Sequence, residues 1–151
     1  GAGKSTLLKL LSGQELPYTG RLTLAPSLVV SVVPQDTSGL AGSLTGYAQE
    51  SGVDLTRFLT LLRKLGFTRA QFEKDMASYS AGQKKKVLLA RSLCQSAHLY
   101  LWDEPLNYID LFSRMQLEDL LREYRPTLVL VEHDQDFLDA VAGRQLALSP
   151  A

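Results

Sequence analysis

The first six residues, Gly1-Ala2-Gly3-Lys4-Ser5-Thr6, restrict the fold more than any other part of the chain. Glycines followed by Lys-Ser at the head of an apolar helical stretch form the later half of a phosphate-binding loop, G-x-x-x-x-G-K-[ST]. Such a loop works only between a strand and a helix: successive backbone N–H groups and the helix N-terminus cradle phosphate, the lysine bridges β and γ oxygens, and the Ser hydroxyl holds Mg²⁺. The loop's opening glycine is missing before Gly1. The chain is therefore read as a portion of a longer protein, with the loop's beginning and the strands ahead of it lying upstream.

Helical and extended patterns alternate after the loop. Ser5 to Ser12 predicts a helix stopped by Gly13. Arg21 to Ala25 alternates and Leu28 to Val33 is continuous and β-branched, which predicts two strands separated by Pro26. Thr37 to Gly46 reads as a loop. Asp54 caps a helix carrying Leu55, Phe58, Leu59, Leu62 and Leu65 and ended by Gly66, and a shorter helix is expected over about 69–76. Ala81 to Leu93 and Ser113 to Tyr124 predict longer helices, and Asp134 to Val141 a last one. Leu99 to Trp102 and Thr127 to Glu132 predict buried strands, and Gln145 to Leu148 a short final strand. Strands alternating with helices predict an α/β fold with a mostly parallel sheet, and residues of about 37–96 are expected to form a small helical subdomain.

The phosphate loop gains meaning from Leu99-Tyr100-Leu101-Trp102-Asp103-Glu104. An apolar strand ending in two carboxylates brings Asp103 to the sheet edge, where it can hold Mg²⁺ through water, and leaves Glu104 to orient or deprotonate an attacking water. An acidic pair after a strand is weak support by itself. Following a phosphate loop, it points to a nucleotide triphosphatase.

Three further segments occur in a fixed order: Gln35 after an apolar strand, Tyr79-Ser80-Ala81-Gly82-Gln83 before a lysine-rich helix, and His133 after Leu128 to Glu132. Taken singly, Ser80 to Gln83 would be a helix cap and His133 a residue at a strand end. The joint order resembles the ABC-type ATPases from end to end, which implies a P-loop three-layer α/β domain using ATP and Mg²⁺. The resemblance assigns Gly1, Ala2, Gly3, Lys4, Ser5, Thr6, Gln35, Ser80, Ala81, Gly82, Gln83 and Asp110 to nucleotide binding. It assigns Ser5, Gln35 and Asp103 to the metal, and Glu104 and His133 to catalysis. It also implies a second ATPase domain, whose nucleotide Ser80 and Gly82 would touch.

Glu104-Pro105-Leu106-Asn107-Tyr108-Ile109-Asp110 is similar to the E-P-T-N-H-L-D run of the ABC-F branch, and the wider run from Gln83 through Asp110 resembles the second ATPase domain of ribosome-protecting, antibiotic-resistance members. That implies a cytoplasmic parent acting on the ribosome. Ala81, Tyr79 and Leu106 depart from the common glycine, leucine and threonine. Two other readings stay open: a nucleotide-binding subunit energising a membrane transporter, and a fragment unable to hydrolyse ATP by itself.

Composition narrows the partners. Among 151 residues, 16 basic and 16 acidic side chains balance to a net charge of zero, which argues against binding nucleic acid or anionic membrane through bulk charge. Lys84-Lys85-Lys86 reads as a solvated helix face rather than an RNA contact. No apolar run approaches the roughly 18 residues of a membrane span, so no direct membrane insertion is expected. Cys94 reads as a core residue, and His98, outside the family pattern, as a surface residue.

Overall fold

The structure, a computed structural model, describes residues 4–146. Three runs rich in Val and Leu form its sheet: β1 (Val30–Val33), β2 (Leu99–Asp103) and β3 (Leu128–Val131). They lie parallel in the order β1-β2-β3. Val33 pairs with Trp102, Trp102 with Leu130 and Asp103 with Val131, so all three strands end at one edge. Parallel neighbours need long crossovers, and helices supply them. Between β1 and β2 run α2 (Leu44–Ser51), α3 (Leu55–Lys64), α4 (Arg69–Phe72), a 3-10 turn at Met76–Ser78 and α5 (Ala81–Cys94). Helix α6 (Leu111–Tyr124) joins β2 to β3, α1 (Lys4–Leu11) precedes the sheet and α7 (Gln135–Val141) comes after it.

Side-chain alternation gives the sheet two different faces. Ser31, Val33 and Trp102 point toward α5, where the buried indole N–H of Trp102 donates to Ser92 Oγ at 2.9 Å. Ser92 Oγ lies 2.6 Å from Ser31 Oγ, and Ser31 donates to Gln95 Oε1 at 2.6 Å. In this Trp102–Ser92–Ser31–Gln95 series each buried side-chain polar atom has a partner, as a dry interior requires. Around it pack Phe58, Leu61 and Leu62 of α3, Val87, Leu89 and Leu93 of α5, Leu117 of α6 and Phe137 of α7. Each such side chain stabilises the fold by about 1.5–3 kcal/mol through burial. Leu101 points the other way and is fully buried on the side of α1, whose Leu8 is also buried. Helices on both faces of a parallel sheet make the expected three-layer P-loop architecture.

Several expected elements differ. Arg21 to Ala25 is not a strand. Alternation alone does not make one, because a strand needs a pairing partner, and the chain turns away at Pro26 and Ser27, whose φ is +63°. The strand expected from Leu28 begins at Val30, and β3 is two residues shorter than Thr127 to Glu132. β3 is only partly buried, with Val129 at 36% exposure, because among the described residues it forms an edge of the sheet. Gln145 and Leu146 are not in a strand, and the rest of that expected strand lies outside the described residues.

The loop expected over Thr37 to Gly46 gives way to α2 at Leu44. Ser43 Oγ accepts from Gly46 N at 3.0 Å to start that helix, and Gly52 in the left-handed region (φ +70°) ends it. Asp54 caps α3 as expected, accepting from Arg57 N at 2.9 Å. The helix expected over 69–76 stops at Phe72, because Asp75 accepts from Gly42 N and Ala77 N and restarts the chain as the 3-10 turn. Helix α6 begins two residues before Ser113, at the residue after its cap Asp110. His98 is exposed, as expected of a surface residue, and its Nδ1 also accepts from Val29 N at 2.8 Å, at the entry to β1. Cys94 is only partly buried, packed against the core.

Candidate active site

Gln35, Glu104 and His133 each lie just beyond the end of a strand, two residues after Val33, one after Asp103 and two after Val131. Parallel register brings them to one edge, the carboxyl edge where open α/β sheets bind ligands. Glu104 is the centre of the group. Its Oε2 accepts from Gln35 Nε2 at 2.8 Å and from Asn107 Nδ2 at 3.0 Å, and its Oε1 lies 2.9 Å from His133 Nε2. Its backbone N donates to Val131 O at 2.8 Å. Glu104 also has a φ of +49°, a left-handed conformation uncommon for a non-glycine residue. Such strain costs on the order of 1–3 kcal/mol and gathers at functional sites.

Partial burial pushes the Glu104 carboxyl up, but the hydrogen bonds from His133 and Asn107, the nearby imidazole and the bond from Gln35 outweigh it and hold the group below its ordinary 4.5. The carboxylate is therefore ionised at neutral pH. An ionised carboxylate only accepts, so His133 Nε2 carries the proton in this contact. With Gln35 Nε2 donating to Glu104, the amide oxygen of Gln35 is the atom available to a cation.

Asp103 ends β2 one residue before Glu104, at the same edge. Lys4, at the head of α1, lines a groove that also takes in Val131, Glu132 and Gln135, a groove that Gln35, Glu104 and His133 do not line. Thr6 is exposed on α1. Gly1, Ala2, Gly3 and the Ser5 side chain lie outside the described part of the structure.

Ser80, Ala81, Gly82 and Gln83 form the first turn of α5 and do not join the Glu104 group. Ser80 Oγ accepts from Gln83 N at 3.1 Å, and Gln83 Oε1 accepts from Ser80 N at 2.9 Å, a reciprocal cap in which Ser80 and Ala81 are exposed and Gly82 and Gln83 half-buried. Gly82 packs against the Tyr108 carbonyl, where a Cβ would overlap the oxygen. Asp110 stands apart too. It caps α6 by accepting from Ser113 N at 3.0 Å and pairs with Lys86 Nζ at 2.8 Å.

The three lysines are not a solvated face. Lys85 is fully buried, Lys86 is half-buried and paired with Asp110, and Lys84 is half-buried. Lys85 Nζ donates to the carbonyls of Pro34 at 3.2 Å and Gln35 at 3.4 Å. Burial pushes its ammonium below the ordinary 10.5, opposed by the charges of Asp103, Glu104 and Glu132.

Sequence reasoning missed Glu132 as a site residue. Its Oε2 accepts from His133 N at 2.7 Å and Asp134 N at 3.3 Å, and its Oε1 accepts from Leu106 N at 3.2 Å. One carboxylate thus ties the segment holding His133 to the segment holding Asn107. The signal available was a charged residue closing an apolar strand directly before His133.

The donors at this edge are oxygens and amides: the Gln35 amide oxygen, the Asp103 carboxylate and the Glu104 carboxylate. Among the described residues no cluster of three or more His, Cys, Asp or Glu could cage a metal. The oxygen donor set itself suits Mg²⁺, which binds through one or two carboxylates together with substrate phosphates and water. No described helix is long and apolar enough to cross a membrane.

Comparison with known proteins agrees with the geometry. The ABC transporter family profile matches residues 1–107. The ATP-binding protein Uup of Caulobacter vibrioides is 35% identical across 98% of this chain, which covers 26% of that protein. The ribosome protection protein VmlR of Bacillus subtilis is 33% identical across 99% of this chain, covering 28% of that protein. These relatives are of the ABC-F type that the Glu104 to Asp110 run resembles. Among solved structures, the complex of an archaeal ribosomal stalk protein with the ribosome recycling factor aABCE1 matches 92% of this chain at a TM-score of 0.75 and 27% identity, over 28% of the matched chain. The chain thus spans about a quarter of the length of the curated relatives it matches.

Proposed function

The chain belongs to the ABC transporter family, and from that premise we propose that it is part of an ATP-hydrolysing domain of the ABC-F type, within a cytoplasmic protein that acts on the ribosome. The observation that carries the hydrolytic reading is the Glu104 carboxylate held at the sheet edge by Gln35, Asn107 and His133. Residues 1–151 would form one ATPase domain with those upstream, the helical subdomain spanning about 37–96.

In this reading Lys4 and the backbone of Gly1 to Thr6 bind the phosphates of ATP. Ser5, Gln35 and Asp103 would hold Mg²⁺, which when bound offsets negative charge on the phosphate oxygens. Glu104, ionised and fixed by three partners, orients the attacking water and accepts its proton. His133 delivers its Nε2 proton as a hydrogen bond, to Glu104 here and to a γ-phosphate oxygen when nucleotide is in place. Ser80 and Gly82, at the exposed head of α5, offer a hydroxyl and backbone N–H groups to the nucleotide of a second ATPase domain. Closure of two such domains over ATP would accompany ribosome binding, and hydrolysis would reopen them.

The ribosomal part is supported by the names of relatives, a ribosome protection protein and a ribosome recycling factor. It is tested by sedimenting lysate of cells expressing the full-length protein carrying Glu104→Gln, with ATP present. Recovery with ribosomes is expected. Recovery with membranes and absence from ribosomes would favour a transporter subunit and contradict the proposal.

A further inference from the structure

A buried lysine whose hydrogen bonds go to backbone carbonyls is costly for stability alone, since an ammonium loses its hydration on burial and an apolar side chain of similar volume serves a core as well or better. Lys85 is such a residue. It lies on the second turn of α5, fully buried, and its Nζ reaches the two consecutive carbonyls of Pro34 and Gln35. These carbonyls belong to the segment that leaves β1 and carries the Gln35 amide to Glu104 Oε2.

Strand β1 itself does not need that anchor. Arg91 Nη2 donates to Val32 O at 2.7 Å, and Ser92 meets Ser31 at 2.6 Å, so α5 already holds β1 at two points. Among the described residues the hydrogen bonds of Lys85 go to the Pro34-Gln35 segment beyond the strand, while the carboxylates of Asp103, Glu104 and Glu132 act on its charge. We propose that Lys85 is a positioning residue for hydrolysis, acting through the backbone of Pro34 and Gln35 to fix where the Gln35 amide meets Glu104. This rests on the ATPase reading above. It also gives α5 a double task, because the same helix presents Ser80 and Gly82 at its head and meets the Glu104 side of the site through Gly82 against Tyr108 and Lys86 with Asp110.

The test is steady-state ATP hydrolysis by the full-length protein as wild type, Lys85→Met, Gln35→Ala and the double variant, with ATP affinity measured on each. Misplacing a reacting group by about an ångström can cost on the order of 100-fold, so Lys85→Met is expected to lower kcat roughly 10- to 100-fold while KM and ATP affinity stay put. Because the two residues act in series, the double variant should be no slower than Gln35→Ala alone. Lys85→Gln, which keeps N–H donors, should recover part of the loss, and it takes the place of Lys85→Met in the cycle if the latter does not fold. A Lys85→Met kcat equal to wild type, losses that multiply in the double variant, or an effect confined to KM would each overturn the inference. Absence of hydrolysis in the wild type would overturn the ATPase reading and this inference with it, whereas a wild type silenced by Glu104→Gln but indifferent to Lys85→Met would overturn this inference alone.

Discussion

Gly82, in the first turn of α5, lies so close to the carbonyl oxygen of Tyr108 that no side-chain atom fits between them. Tyr108 has a φ of +66°, and its carbonyl sits one residue after Asn107, which donates to Glu104. The head of α5 and the segment beyond β2 therefore fit as one unit, and glycine is required for a steric reason independent of any ligand.

Gly82→Ala should consequently destabilise the domain by about 1–3 kcal/mol, the usual cost of inserting a methyl group into a filled space against backbone. Urea denaturation of the variant beside wild type checks this. An unchanged midpoint would mean that the segment around Tyr108 yields freely.

The buried polar chain Trp102–Ser92–Ser31–Gln95 should be sensitive at its middle. Ser92→Ala leaves the Trp102 indole N–H without its acceptor in a dry core, which costs about 1–3 kcal/mol. Trp102 fluorescence during denaturation reports the loss directly, and combining Ser92→Ala with Trp102→Phe should cost less than the sum of the two single changes.

Asp110 gives a pH dependence with a definite sign. Partial burial pushes its carboxyl up, but Lys86 and the Ser113 backbone and hydroxyl outweigh that and hold it well below the ordinary 3.8. A carboxyl whose folded value lies below its unfolded one contributes stability that is complete above the unfolded value and is lost as pH falls through the folded value. Thermal denaturation of wild type and Asp110→Asn should hence differ by a constant amount at pH 6 to 8 and converge as pH falls below about 4. A difference that persists unchanged in acid would contradict the role given to the Lys86 pair.

Cys94 should react slowly. Burial raises its thiol from the ordinary 9.0 to about 11, with Arg57 lowering it and Asp54 raising it by smaller amounts. A rise of about two units in pKa reduces the thiolate present at pH 8 roughly 100-fold. Alkylation by iodoacetamide at that pH is expected to lag the urea-unfolded chain by a similar factor, and equal rates would show an open site.

Much of the site was legible in the sequence because phosphate and water chemistry admit few residue types at few spacings. Gln35, Glu104 and His133 come directly after apolar strands, and parallel pairing leaves such residues no choice but a shared edge. The less legible parts depend on tertiary context. Lys85 reads as solvated by composition and is buried because α5 lies across the exit of β1. Leu44 to Ser51 carries little helical pattern, and its helix depends on the Ser43 cap and the Gly52 stop, with Leu44 and Ala48 buried against its neighbours. Arg21 to Ala25 has the alternation of a strand, but alternation does not supply a partner.

Glu104 at this sheet edge is proposed above as the base of an ATPase. This role is tested most directly by measuring MgATP binding and hydrolysis by the full-length protein with and without Glu104→Gln, the Lys4→Ala variant serving as a control for binding. Glu104→Gln is expected to lower kcat roughly 10²–10⁴-fold, the usual worth of a general base, with MgATP affinity retained, and Lys4→Ala to weaken binding itself. Hydrolysis unchanged by Glu104→Gln, or MgATP binding indifferent to Lys4→Ala, would contradict this reading.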